Sequence, residues 1–152
     1  MGLERAASDR EWGAGPLERR DRGGSVGVLM RIITSRIHGV LDYTVGLLLI
    51  FAPALLGLGP GWESRIFVLL GVAAVVYSLL TRYEWGLLRA LPFRGHLALD
   101  FAHAAMLTSS PWLLGFAERV WMPHLAAGLL EFVVVALSQR FSPVDVPIPV
   151  RR

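Results

Sequence analysis

Cysteine is absent from the chain, which excludes disulfides, thiolate metal sites and a cysteine nucleophile and leaves the redox compartment undetermined. Charge is scarce: 18% of the 152 residues are charged, where a soluble domain of this size carries about a quarter. No Ser/His/Asp triad, glycine-rich phosphate loop or His-Glu-x-x-His pattern occurs, and the Gly57-Leu58-Gly59 grouping is a turn rather than a nucleotide loop. The residues therefore give no positive sign of an enzyme and call for no cofactor. The formal net charge of +3 would suit nucleic acid, but the arginines form no patch or stripe, so a nucleic-acid partner is not expected.

What the chain has in excess is hydrophobicity, at 54% of residues with a mean hydropathy of +0.53. Four apolar blocks carry it, over residues 39–58, 66–81, 97–116 and 122–138. At 1.5 Å per residue, blocks of about 16 to 20 residues cover about 24–30 Å, close to a bilayer's hydrocarbon thickness. A soluble bundle whose helices are apolar all round would have no face for water. The expected fold is an all-α membrane protein of four transmembrane helices. Residues 1–34 read as a disordered cytoplasmic tail, because the stretch before Met30 balances five arginines against five acidic groups and has few large apolar residues before Val26. It also lacks the apolar centre of a signal peptide. Met30 is an alternative start, which would make the tail an over-extension. Residues 142–152 form a C-terminal tail.

Arginines fix the expected direction. Arg31 and Arg36 precede the first block, Arg82, Arg89 and Arg94 lie between the second and third, and Arg140, Arg151 and Arg152 follow the fourth. The other two connections hold only Arg65 and Arg119, each beside a glutamate. The positive-inside rule then puts both termini and the central connection in the cytoplasm. Trp62, Trp85, Trp112 and Trp121 fall near block ends, at the headgroup level that indoles favour.

Shifting the chain by 58 residues aligns it with itself. His38-Gly39-Val40-Leu41-Asp42-Tyr43 falls on His96-Leu97-Ala98-Leu99-Asp100-Phe101. Pro53-Ala54-Leu55-Leu56-Gly57 falls on Pro111-Trp112-Leu113-Leu114-Gly115, and Thr81-Arg82-Tyr83 on Gln139-Arg140-Phe141. The repeats are residues 35–91 and 92–141. Each holds two spans, so the copies are parallel, related by a pseudo-two-fold axis along the membrane normal.

Ser110-Pro111-Trp112 with Leu113-Leu114-Gly115-Phe116, preceded by His96 and Asp100, resembles the repeat of the bacterial and archaeal SPW-repeat membrane proteins. The first copy keeps only Pro53 and Gly57, with Ala52 and Ala54 in place of serine and tryptophan. The resemblance spans about Ser35 to Phe141. It implies a four-span membrane protein and brings no established activity; with the arginine distribution, the expected location is the prokaryotic cytoplasmic membrane, multi-pass, N-in and C-in. Pro111 is expected to end or kink the third span, Ser110 to bond a carbonyl freed there, Trp112 to anchor the interface and Gly115 to let the chain turn.

The intramembrane polar candidates are His38, Asp42, His96, Asp100, His103 and Glu131. His38 and Asp42 are four apart, as are His96 and Asp100, so each pair shares a helix face one turn inside its span. An interfacial network with Arg36 and Arg94 is the expected role. A proton or ion path, and a metal or haem site with His38 and His96 as ligands, are the alternatives. His103 and Glu131 have no polar equivalent in the first unit, and their similar depth predicts that they face each other across the third and fourth spans. Gly46, Gly71, Ala104, Ala105, Ala126 and Ala127 mark close helix packing. The functional expectation is a structural or interaction role, with the bilayer and a second copy or another membrane protein as partners. A transporter or channel, and a haem- or metal-binding redox protein, are its rivals.

Overall fold

The computed structural model describes residues 31–145. The tail before it, the Met30 alternative start and the arginines at 151 and 152 lie outside the described residues. Four helices follow one another: α1 (Ser35–Leu55), α2 (Trp62–Leu80), α3 (Phe93–Leu113) and α4 (Met122–Leu137), then a short 3₁₀ turn at Pro143–Asp145. The α1/α2 and α3/α4 hairpins are the two closely packed pairs, and α2 packs on α3. No comparable contact joins α1 to α4.

The helices that open each unit start four residues before the apolar blocks do, at Ser35 and Phe93 rather than Gly39 and Leu97, and α2 starts at Trp62 rather than Ile66. A helix begins where its first N–H groups find acceptors, not where apolar residues begin. For α1, Thr34 Oγ1 accepts from the Ile37 N–H (3.3 Å). For α3, the preceding residue is Pro92, and Asp145 Oδ2 from the C-terminal segment accepts from the Phe93 N–H (2.9 Å). Asp42 and Asp100 are consequently the eighth residues of their helices, two turns in rather than one.

Helices α1 and α3 end alike, at Leu55 and Leu113 rather than Leu58 and Phe116. Gly57 and Gly115 follow with φ of 61° and 70°, the left-handed conformation that glycine adopts at no steric cost. The Leu58 N–H then donates to Pro53 O (2.9 Å) and the Gly57 N–H to Ala54 O (3.4 Å). Phe116 to Pro111 (2.8 Å) and Gly115 to Trp112 (3.4 Å) repeat the pattern in the second unit. This is a Schellman cap, and it explains why proline and glycine recur four residues apart in both copies. Pro111 lies inside the helix rather than ending it. With no N–H of its own it leaves Leu107 O without its helical donor, and Ser110 Oγ donates there instead (2.9 Å).

Small residues set the spacing within each hairpin. A Cβ added to Gly71 would stand 2.6 Å from Gly46 O, and one added to Gly128 would stand 2.8 Å from Ala104 O. Gly128, rather than the expected Ala126 and Ala127, is thus the close-packing position of α4. The two crossings correspond at a shift of 58 on the first helix of each unit and 57 on the second. The longer α3–α4 connection and the shorter α4 leave the second unit one residue behind. Thr81 accordingly corresponds in space to Ser138, not to Gln139.

One end of the bundle gathers the start of α1, the end of α2, the start of α3 and the end of α4, joined by bridges between Ile33 and Ser138 and between Thr81 and Leu91. Six arginines of the described residues belong to that end; Arg65 and Arg119 belong to the other. The interior holds Leu49, Phe67 and Leu107 at its apolar centre, yet more polar than large apolar side chains are buried. Exposed groups include Leu47, Leu48 and Phe51 of α1, Leu69 and Val72 of α2, Phe101 of α3, and Leu129, Leu130 and Val133 of α4. By length and composition, α1 and α2 could each cross a membrane; α4 is apolar but has 16 residues.

Candidate functional site

Two turns inside the arginine-rich end, the expected candidates from both repeats converge. His38 Nε2 lies 3.1 Å from His96 Nε2, 2.9 Å from Asp100 Oδ2 and 3.2 Å from Asp42 Oδ1. His96 Nε2 lies 2.9 Å from Asp42 Oδ2 and 3.2 Å from Asp100 Oδ2. Each histidine therefore meets its own repeat's aspartate at the longer distance and the other repeat's at the shorter. The pseudo-two-fold axis passes through the middle of the four.

Nothing in sequence spacing alone demanded this closeness. It follows from α1 and α3 turning the same face toward the bundle interior, where their side chains meet and Asp42 and Asp100 come against the opposite histidine. His38 and His96 are 1% and 0% exposed. Phe93 closes the site at the arginine-rich end, stacked on His96 with ring centres 5.8 Å apart and meeting His38 edge-on at 5.5 Å. Tyr77 meets His96 edge-on from α2. Tyr83 is fully buried beside the four, and burial holds its hydroxyl above its ordinary value, so it faces Asp42 Oδ2 (3.4 Å) as a neutral donor.

Two hydroxyls that sequence reasoning missed complete the arrangement. His38 Nδ1 is 2.8 Å from Ser138 Oγ, and His96 Nδ1 is 2.8 Å from Thr81 Oγ1. Each hydroxyl also reaches a backbone carbonyl one turn back, Val134 O for Ser138 (2.6 Å) and Tyr77 O for Thr81 (2.7 Å). A carbonyl only accepts, so each hydroxyl spends its proton there and must accept from the histidine Nδ1–H. The hydrogen-bond network thereby assigns the tautomer, and Nε2 is the nitrogen left to face the aspartates. The one-residue slip hid this pair, because at a shift of 58 Thr81 aligns with Gln139.

The expected Arg36 and Arg94 do not take part. The Arg36 guanidinium lies over the Trp85 ring (6.0 Å to the centroid) and Arg94 over Phe141 (5.5 Å), which leaves the carboxylates to the histidines. Haem ligation by His38 and His96 does not fit either. Two axial nitrogens stand about 4 Å apart with a macrocycle between them, whereas here they are 3.1 Å apart with two carboxylates in the gap.

Deeper along α3, His103 Nδ1 lies 2.7 Å from Glu131 Oε2 of α4, the contact that their equal depth predicts. His103 Nε2 lies 3.0 Å from Leu70 O, an acceptor, so Nε2 carries a hydrogen and a single proton lies between Nδ1 and Oε2. The pair is neutral overall whichever atom holds that proton. A cavity of about 140 Å³ separates it from Asp42, lined by Val45, Leu48, Tyr77, Leu130 and Val134 on the open α1/α4 side. At the far end, His124 stacks on Phe67 (3.9 Å between ring centres) and its Nε2–H donates to Glu63 O (2.9 Å). Arg119 Nη2 reaches Glu63 Oε2 at 3.4 Å. His124, which sequence reasoning did not single out, corresponds to Phe67 at the shift of 57.

Fold and site together define a class: a pseudo-two-fold helical protein of two hairpin repeats, joined through a buried His–Asp centre. Residues 36–138, well over half of the chain, match the SPW repeat domain, and the chain belongs to that family. No match is found among curated proteins or among solved structures.

Proposed function

We propose that this chain is a four-span protein of the prokaryotic cytoplasmic membrane with a structural or protein-interaction role, its repeats being residues 35–91 and 92–141. The observation that supports this is the inversion of polarity. Most of the large side chains turned outward are Leu, Val, Phe and Ile, while His38, His96, Asp100, His103, Ser110 and His124 are turned inward and buried. In water that distribution would be strongly unfavourable; in hydrocarbon it is the stable one. Helix α3 falls short of a span by composition because its inward stripe is polar, and α4 covers about 24 Å, which a short span accommodates with little tilt. The excess of arginine at one end supports a cytoplasmic location for both termini and the central connection.

The inward polar groups are engaged with one another rather than arrayed along an open route, which favours a structural role, and the apolar outer faces suit lipid, a second copy or another membrane protein. Membrane preparations washed at alkaline pH test the location: retention in the pellet is expected, and release into the supernatant would overturn it. Movement of protons or small solutes is the second reading, favoured by the cavity that Asp42, His103 and Glu131 line. Purified protein in liposomes separates the two. A proton or ion flux abolished by Asp42→Asn with Asp100→Asn would replace the structural role with transport.

A further inference from the structure

We propose that His38, Asp42, His96 and Asp100 form a tetrahedral binding site for one divalent transition-metal ion, zinc by its chemistry, which fastens the two repeats together. The proposal concerns the same residues as the structural reading but does not depend on the chain's location or on that role.

Three observations carry it. First, the four residues each direct one ligating atom to a common centre, with all four atoms within 4.8 Å of one another. The two Nε2 atoms are 3.1 Å apart, Asp100 Oδ2 lies 2.9 and 3.2 Å from them, and Asp42 meets His38 through Oδ1 (3.2 Å) and His96 through Oδ2 (2.9 Å). A regular tetrahedron with metal–ligand bonds of 2.0–2.1 Å has edges of about 3.3 Å, close to these contacts, and a turn of the Asp42 carboxylate that brings one oxygen to the centre completes the set.

Second, the tautomer is set for coordination. Ser138 and Thr81 each hold an Nδ1–H, so in their neutral forms both histidines aim Nε2 lone pairs at the centre. Two nitrogen lone pairs 3.1 Å apart, flanked by carboxylate oxygens, repel unless positive charge lies among them. A dication supplies it while leaving the site neutral, since two aspartates carry the matching charge. An Nδ1–H donated to an oxygen acceptor is also the usual outer-shell support of a metal-bound histidine.

Third, the donor set fits the metal. Two imidazoles and two carboxylates are ligands for zinc and its neighbours, while calcium and magnesium need six or more oxygens, which four buried side chains do not provide. All four positions are filled by protein, which marks a closed, structural site rather than one that activates water. Because two ligands come from each repeat, the ion would bridge α1 and α3 across the pseudo-two-fold axis. The opposing arrangement is two protonated histidines paired with two aspartates, an ion-pair clasp without metal.

Full-length protein purified in mild detergent from zinc-supplemented cells, without a metal-affinity tag, decides between them by elemental analysis. About one zinc per chain is expected, falling at least about tenfold in His38→Gln with His96→Gln and in Asp42→Asn with Asp100→Asn. His103→Gln, in the other buried pair, should retain the wild-type content. Wild-type protein stripped with a chelator provides a second measurement that does not rely on the folding of any variant. Addition of Zn²⁺ should raise its unfolding temperature, and Co²⁺ should give the intense visible bands of a tetrahedral site, displaced by Zn²⁺. Folded wild-type protein with less than about 0.1 metal per chain that takes up neither ion would overturn the proposal and leave the ion-pair clasp.

Discussion

Ser110 and Pro111 show how one side chain offsets a defect made by its neighbour. Proline removes a donor from Leu107 O, and the serine hydroxyl restores one at 2.9 Å in a fully buried place. Ser110→Ala should therefore lower stability by about 1–2 kcal/mol in thermal or denaturant unfolding in detergent, as expected for a carbonyl left without its partner. Gly115→Ala puts a Cβ on a residue with φ of 70° and should cost about 1 kcal/mol, though nothing lies within 4 Å to clash with it. For the deeper pair, Glu131→Gln keeps a group able to bond His103 Nδ1, whereas Glu131→Leu leaves that nitrogen buried and unpartnered. Unfolding should show the glutamine variant as milder by about 1 kcal/mol or more; equal losses would show that the 2.7 Å contact contributes little.

At the scale of helices, the two hairpins are closed by contact of backbone on backbone. A methyl group at position 71 would stand 2.6 Å from a main-chain oxygen of α1 that cannot swing aside. Gly71→Ala should therefore separate α1 from α2 and destabilise by about 1–3 kcal/mol, the range for overpacking, and Gly128→Ala should do the same to α3 and α4. Small residues can be seen in sequence, but which pairs touch cannot. Gly128 matters because α4 is shorter and its connection longer than in the first unit, which makes it, rather than Leu129, the counterpart of Gly71. The same slip brought Ser138 opposite His38, where alignment at 58 offered Gln139 as Thr81's counterpart.

Across the whole molecule, each histidine of the central four bonds a hydroxyl and an aspartate from the other repeat. The repeats should therefore recognise each other when separated. Residues 1–91 and 92–152 made as two chains in one cell should co-purify, and Asp42→Ala with Asp100→Ala should reduce recovery of the complex several-fold. Reporter fusions test the orientation. Both termini and the Pro92 connection should report as cytoplasmic, and an external signal at Pro92 would remove the parallel arrangement of the repeats.

The pattern along the chain determined the helix number, the two-fold repeat and the family motif, because hydrophobic blocks and a Pro–Gly cap act over a few neighbouring residues. It also singled out His38, Asp42, His96 and Asp100, since a histidine and a carboxylate four apart share a helix face whatever that helix packs against. Only the tertiary structure decided that the two faces meet, that arginines stand aside over Trp85 and Phe141, and that Thr81 and Ser138 orient the rings. Those contacts join residues up to 100 positions apart. They depend on how far α1 and α3 approach and on a one-residue slip in α4, quantities that no local preference encodes.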